Sequence, residues 1–411
     1  MRYMSKMIHE KWKMEPNNLR ENLFLIGYAF LLGLTVWSTT MLPLNGLASK
    51  ICKLSFIGLV GIKIICFDSY SIKNVFWLIV MAVCAGAAFA SSRYFELFMW
   101  VLLIAGSRDV SFEKILKIYI LIASFVMILA FSAAMFGLIV NLQYITEERG
   151  IRNALGANHP TAFGAHIFFI VLSFFYLNRR NLRPYHFGVA LLIGVLIQIF
   201  CNARSDAGCI IMIPVLFGLG YKIEEGTWGG YRIQKIWTEG WKKNGKYIMP
   251  IIAGISVFFT ATYKKGSAIW AKADGTLVAR LRYGKMGLDD YGIKLFGQRI
   301  EMVGNGGTTK TPENYFYLDC AYINILLLWG IVLFLLAMLL YLYICKKHQC
   351  DLCFQYTIAL IAMASVMEPN LMDFGYNPFP MAVWAVMMNQ SNNCNKNILS
   401  WKRKLELNGN N

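Results

Sequence analysis

Runs of apolar residues separated by short polar segments follow one another along almost the whole chain of 411 residues. A helix needs about 20 apolar residues to cross the hydrocarbon core of a bilayer, and on that measure the pattern predicts about 12 spans, with 10 to 13 compatible. We therefore predict an all-α polytopic membrane protein, with residues 1–411 forming a single transmembrane domain. The predicted spans are residues 23–42, 51–67, 74–91, 94–106, 115–140, 161–177, 186–201, 207–221, 247–262, 318–344, 354–367 and 376–390.

One long polar interval, residues 263–317, separates the ninth and tenth predicted spans. It is longer than the connectors that usually join neighbouring helices, so a functional loop is favoured over a plain link. Arg280 and Arg282 are among its basic residues. We predict that this large extracellular loop covers a membrane-embedded site.

The composition agrees with a membrane protein, because 57% of the residues are hydrophobic and only 15% are charged. The net charge of +17 comes from basic residues scattered through short loops, which argues against nucleic-acid binding. With twelve spans, five basic segments fall on one side, which the positive-inside rule makes cytoplasmic, together with both termini. Lys63, inside the second predicted span, is expected to form an ion pair or to reach the membrane surface. The five basic segments are residues 1–22, 178–185, 222–246, 346–348 and 396–404.

The first predicted outer segment contains Glu147, Arg149, Arg152 and His159 immediately before a span that starts near Pro160. Proline fits the first turn of a helix, where its missing N–H has no consequence. The free N–H groups of that turn, together with the arginines, would form a phosphate-binding site. The alternative is an ordinary interfacial loop with arginines that reach the headgroups.

Two further arginine segments are predicted on the outer side. Arg204 lies in a tight turn, where it either pairs with Asp206 or binds a ligand, since an arginine at the membrane edge needs a partner. Arg280 and Arg282 together favour diphosphate binding, because the planar guanidinium can hold phosphate oxygens bidentately. A solvated basic face is the alternative for the long loop.

Acidic residues stand at two more predicted outer ends. Asp319 follows Tyr317 at the start of the tenth span, where a carboxylate can balance the helix dipole, act as a base or position an arginine. Glu368 is equally ambiguous. The sequence has no phosphate-binding P-loop and no convincing metal-ligand pattern, so we predict no metal and no cofactor.

Four segments resemble Wzy-type polysaccharide polymerases, relatives of the O-antigen polymerases and ligases, in the form found in Gram-positive capsule and exopolysaccharide clusters. They are residues 149–160, 202–205, 280–298 and 317–330, with Glu368 beyond them. The chain departs from the Arg-x15-Gly spacing of some O-antigen polymerases, since Gly164 is one residue short of that distance from Arg149. The family's arginine roles therefore do not transfer position by position.

The resemblance implies a GT-C-like glycosyltransferase of the bacterial plasma membrane. It would polymerise undecaprenyl-diphosphate-linked oligosaccharide repeat units into capsular polysaccharide or exopolysaccharide at the outer leaflet, without a metal. Its partners would be membrane lipid and the chain-length regulator and flippase of the same pathway. His159 is the first candidate base, with Asp319 and Glu147 in reserve. The candidate residues for binding diphosphate or sugar are Arg149, Arg152, Arg204, Arg280, Arg282 and Tyr317.

Three other functions remain open at this point. A flippase for lipid-linked sugars would place basic residues within the spans around a central cavity, and transporters often contain internal repeats. An O-antigen-ligase-like enzyme would pass the polymer to another acceptor. A channel or a structural membrane protein is less compatible with so many polar residues in the outer loops.

Overall fold

The described part of the chain folds into a series of helices and one small two-stranded antiparallel sheet. The computed structural model describes residues 2–146, 150–224, 230–277, 279–310 and 312–387, with only the backbone described at residues 2–17, 146 and 276. Strands β1 (Gln143–Thr146) and β2 (Gly150–Asn153) pair antiparallel. The helices are α1 (Arg2–Ser38), α2 (Gly46–Ile62), α3 (Ile72–Ser92), α4 (Glu96–Gly106), α5 (Phe112–Met135), α6 (Pro160–Leu177), α7 (Pro184–Cys201), α8 (Arg204–Glu224), α9 (Gly230–Asn244), α10 (Ile248–Thr262), α11 (Ala268–Thr276), α12 (Arg280–Tyr291), α13 (Ala321–Leu328), α14 (Gly330–Lys347) and α15 (Leu352–Ala364).

Within the described residues, eight helices are long and apolar enough to cross a membrane. They are α1 from Asn18 onward, α3, α5, α6, α7, α8, the continuous α9–α10 segment, and α14. Helices α4 and α15 are apolar but shorter. The predicted class, a mostly helical multi-pass membrane protein, is thereby confirmed, while the count of twelve spans stays a prediction.

Hydrogen bonds between segments distant in sequence define two ends of the helix bundle. At one end, Glu21 accepts a hydrogen bond from the Ser111 N–H, and the Phe112 N–H donates to the Val386 carbonyl. We call this the inner end. At the opposite, outer end, the Asn158 N–H donates to the Thr39 carbonyl.

The last described segment passes from the outer to the inner end without an α-helix. Residues 370–387 contain only two 3₁₀ segments, so the helix predicted over residues 376–390 is wrong for the part described. Pro378 and Pro380 explain the difference, because proline lacks the N–H that a helix interior needs. Non-helical backbone within a membrane is tolerated where other parts of the protein bury it and bind its polar groups. In this segment, the Trp100 indole donates a hydrogen bond to the Met372 carbonyl at 2.8 Å.

A second irregularity divides the predicted span 318–344 into α13 and α14. Part of the long loop inserts at the break: the Ile331 N–H donates to the Lys294 carbonyl, and the Gln298 N–H donates to the Leu328 carbonyl. The break lies eight residues into the helix, or roughly 12 Å below its outer end. The interval 263–317 therefore does more than cover the bundle, since one part of it packs alongside a membrane helix.

Two glycines make this insertion possible, and they generate a stability prediction. Gly330 and Gly297 both have left-handed backbones, with φ values of 87° and 75°, and a Cβ at Gly330 would collide with backbone atoms of residues 295–297. We expect Gly330→Ala to destabilise the protein by about 3 kcal/mol or more, through both strain and collision. Thermal unfolding in detergent measures the loss.

Gly254→Ala is the matched control, because Gly254 lies in the middle of α10 with no heavy atom within 4 Å of an added Cβ. Alanine has the higher helix propensity, so this variant should melt at or slightly above the wild-type temperature. A Gly330→Ala variant that melts like Gly254→Ala would contradict the inserted loop.

Candidate functional site

Charged side chains from five separate segments converge at the outer end of the bundle. They come from strand β2, the first turns of α8 and α12, the turn before α13, and the segment after α15. We call this group the outer charge cluster. Its members are Arg152, Asp206, Arg280, Asp319 and Glu368.

Arg280 is the centre of the outer charge cluster. Its Nη2 lies 3.4 Å from the Asp319 carboxylate and 3.6 Å from that of Glu368, and its Nε donates to the Met367 carbonyl at 3.1 Å. The Arg280 side chain is 9% exposed, whereas that of Asp319 is 29% exposed. Arg280 therefore fastens α12 to two other segments and leaves Asp319 on the open side.

Arg152 is the second buried cation of the outer charge cluster. The hairpin register places it opposite Tyr144, and its Nε donates to the Cys201 carbonyl at 3.4 Å. Its Nη2 is buried and has no hydrogen-bond partner among the described residues. Burial lowers the pKa of Arg152, against the attraction of Glu368 and Asp206. A buried guanidinium with a spare donor is suited to an anionic ligand.

Asp206 was expected from the sequence only as a possible partner of Arg204, and not as a site residue. It is buried in the first turn of α8, and its Oδ2 has no hydrogen-bond partner among the described residues. Gly164 of α6 allows this close approach, because a Cβ there would lie 2.8 Å from the Asp206 side chain. Arg204 is exposed instead, and no described ion pair joins it to Asp206. The sequence signal for Asp206 was an acidic residue in the first turn of an apolar helix, two residues after Arg204.

Glu368 was considered from the sequence but left out of the predicted site. Burial and the nearby carboxylates of Asp206 and Asp319 raise the pKa of Glu368 well above its ordinary value. Burial also raises the pKa of Asp319, against the opposing effect of Arg280. Crowded carboxyl groups of this kind retain protons and can exchange them with a ligand.

His159 caps the first turn of α6 at the edge of the cluster. Its Nδ1 accepts the Thr161 N–H at 3.3 Å, and its ring stands edge-on to Tyr144. The Thr161 hydroxyl lies 2.9 Å from the same Nδ1. When Nδ1 accepts from the Thr161 N–H, the proton of the neutral ring is on Nε2. Burial, with Arg152 and Arg280 nearby, lowers the pKa of His159 to about 4. His159 is thus arranged as a neutral hydrogen-bond donor.

The remaining predicted residues separate into three groups. Tyr317 lies near the carboxylates, and burial, Asp319 and Glu368 raise its pKa to about 12, so it keeps its phenolic proton. Arg282 is exposed, and its guanidinium group stacks on the Tyr283 ring. It does not lie beside Arg280, because residues two apart on a helix do not share a face. The prediction that Arg282 acts together with Arg280 is therefore not supported by their placement. Glu147 and Arg149 lie outside the described residues.

No group of three or more His, Cys, Asp or Glu side chains suited to a metal ion occurs in the described part of the chain. The carboxylates of the outer charge cluster face guanidinium groups instead. Two buried arginines can bind a phosphate or diphosphate, and the surrounding carboxyl and phenol groups can exchange protons with a bound hydroxyl.

Comparison with protein-family models, with curated proteins and with solved structures finds no match for this chain. The fold and the cluster themselves define the class: a helical multi-pass membrane protein with a buried, mixed-charge site at one end of its bundle.

The lowered pKa of His159 predicts a pH-dependent contribution to stability. The ordinary pKa of 6.5 falls to about 4 on folding, so the neutral ring stabilises the fold. This contribution is fully present above pH 6.5 and is lost as the pH falls through about 4. It amounts to about 3 kcal/mol at most. Thermal unfolding should therefore show a steeper loss of stability for the wild type than for His159→Asn between these pH values.

Asparagine is the informative replacement because it retains a helix-capping acceptor and does not titrate. Comparing the two proteins at each pH cancels the titration of all other groups. Parallel curves of stability against pH for the wild type and His159→Asn would show that His159 makes no pH-dependent contribution to stability.

Proposed function

We propose that this chain is a membrane glycosyltransferase that joins undecaprenyl-diphosphate-linked oligosaccharide repeat units into capsular polysaccharide or exopolysaccharide. The observation that carries the proposal is the burial of Arg152 and Arg280 among carboxyl groups at the rim of the bundle. Arg152 keeps a buried donor without a described partner, which favours an anionic ligand, and a lipid diphosphate would supply one. The resemblance to Wzy-type polymerases supports the same reaction.

The reaction needs a leaving group to be stabilised and a proton to be removed. The bond between the anomeric carbon of the donor and its diphosphate oxygen breaks, and a hydroxyl oxygen of the acceptor bonds to that carbon. The two guanidinium groups take up the charge that develops on the diphosphate. The hydroxyl proton passes to a carboxylate of the cluster.

Asp319 is the best placed of the candidate bases. It is the more exposed of the two carboxylates that contact Arg280, and it becomes free when Arg280 turns to the diphosphate. His159 was the first choice from the sequence, but its Nδ1 contacts Thr161 and its pKa is lowered to about 4, which makes it a weak base. In this proposal His159 donates a hydrogen bond to the substrate.

The proposed setting is the bacterial plasma membrane, with the outer end extracellular and both termini cytoplasmic. A chain-length regulator and a flippase would be the pathway partners. A transferase to another acceptor would use the same cluster, and only the acceptor tested can distinguish the two enzymes. A flippase instead requires lipid-linked units to cross the bilayer unchanged.

Replacing Arg280 by lysine should lower polymer formation by about 10²-fold or more, because lysine keeps the charge but loses the bidentate fork. The assay incubates purified protein with lipid-diphosphate-linked repeat units and resolves the polymer ladder by gel. Arg299→Lys is the matched control, since Arg299 is an exposed arginine of the same loop. Units that cross liposome membranes without being joined would replace the enzyme proposal with the flippase.

The assignment of the base gives a separate kinetic prediction. Asp319→Asn should lower kcat by about 10²–10⁴-fold, as expected for loss of a general base. His159→Asn should cost only about tenfold, as for loss of one neutral hydrogen bond. Single-turnover rates with a fixed acceptor measure both. A larger loss of kcat in His159→Asn than in Asp319→Asn would assign the role of general base to His159.

A further inference from the structure

An apolar groove lies between α5 and α6 in the outer half of the bundle. Its volume is about 300 Å³, and we call it the α5–α6 groove. Side chains of both helices line it, with Ser124 as the one polar residue. The apolar lining residues are Met127, Ile128 and Phe131 of α5 and Phe163, Ile167 and Ile170 of α6.

The α5–α6 groove opens toward the surrounding bilayer. Ile128 on its edge is 64% exposed, and the neighbouring Phe125 is similarly exposed. Phe163 lies in the first turn of α6, and Ile170 lies two turns further along. The groove therefore runs roughly 10 Å along α6, from the outer end toward the middle of the membrane.

The upper end of the groove lies close to the candidate site. The loop before α6, which carries His159, packs so closely on α5 that a Cβ at Gly156 would collide with the Ala130 carbonyl. On α6 itself, Phe163 of the groove adjoins Gly164, which contacts Asp206 of the outer charge cluster. A ligand with an anionic head at the cluster would have its apolar part beside this groove.

We propose that the α5–α6 groove holds the part of a polyisoprenoid tail that adjoins the diphosphate. This assignment rests on the proposed function, which supplies an amphiphile with a diphosphate head. Arg152 offers that head an unpartnered donor, and the groove offers the tail an almost wholly apolar lining. Ligand pockets range from about 300 to 1,000 Å³, so a groove at the lower limit accommodates only the first isoprene units and leaves the remainder in lipid.

Filling the groove should weaken binding of a long-tailed donor without affecting chemistry. We expect Ile167→Trp to raise KM about tenfold for a donor with a long polyprenyl tail and to leave kcat unchanged. With a donor that carries a methyl group in place of the isoprene units, and therefore cannot occupy the groove, Ile167→Trp and the wild type should have the same, higher KM. Ile128→Trp obstructs the exposed edge of the groove and serves as a second variant if Ile167→Trp does not fold.

Leu192→Trp is the control, because Leu192 is exposed on the surface of α7 and does not line the groove. Displacement of a fluorescent polyprenyl diphosphate from the purified protein provides a binding readout. Long-chain polyprenyl phosphate should displace it from the wild type far better than phosphatidylglycerol, and this preference should shrink in the groove variants.

The outcomes separate this inference from the proposed function. A wild-type protein that joins donors of any tail length equally well, with Ile167→Trp and Ile128→Trp unaffected, would overturn the groove assignment and leave the enzyme intact. Equal displacement by phosphatidylglycerol would also overturn it, in favour of an ordinary lipid site. A wild-type protein that forms no polymer from any donor refutes the proposed function itself.

Discussion

A guanidinium group buried at the rim of a membrane bundle must have partners, and Arg280 takes its partners from two other segments. Asp319 precedes α13, while Glu368 and the Met367 carbonyl follow α15. Removing such partners leaves a charge that the surroundings cannot solvate. The irregular crossing after residue 369 and the start of α13 are therefore held in place by the same side chain that is proposed to meet the substrate.

The inner end of the bundle also contains a buried ion pair, and the contrast is informative. Lys63 is fully buried, and its Nζ donates to both oxygens of Asp68 and to the Arg108 carbonyl. Of the two alternatives expected from the sequence, it therefore forms an ion pair and does not extend to the membrane surface. Every donor of that ammonium group has an acceptor. In the outer charge cluster, by contrast, Arg152 and Asp206 each keep a buried polar atom without a described partner. The Lys63–Asp68 pair is complete without a ligand, although the Arg108 Nε beside it is also buried without a described hydrogen-bond partner. The outer charge cluster differs in that an arginine and a carboxylate of the same site both keep such an atom.

The apolar runs of the sequence located the long helices well, because hydrophobic length is the main requirement for crossing a bilayer. Tertiary contacts decided what the runs could not show. Residues 370–387 can do without an α-helix because neighbouring side chains form hydrogen bonds with their backbone. Helix α13 ends where residues of a distant loop form hydrogen bonds with its backbone. The arginine-rich turns were predicted from the sequence, but helix geometry places Arg280 and not Arg282 in the cluster and buries Asp206 rather than Arg204. The sequence pattern alone does not show how each helix is rotated about its own axis.

The ion pairs of Arg280 also constrain how an anion could bind. Before a diphosphate arrives, the guanidinium is already engaged by Asp319 and Glu368, so binding is an exchange of one anionic partner for another. A displaced carboxylate beside a new dianion would be strongly repelled, unless it takes up a proton. The raised pKa values of both carboxyls make that proton uptake easier. Glu368, the more buried of the two, is suited to remain protonated, while the more exposed Asp319 is free to accept the proton of an acceptor hydroxyl. Substrate binding and activation of the base would thus follow from the same exchange at Arg280.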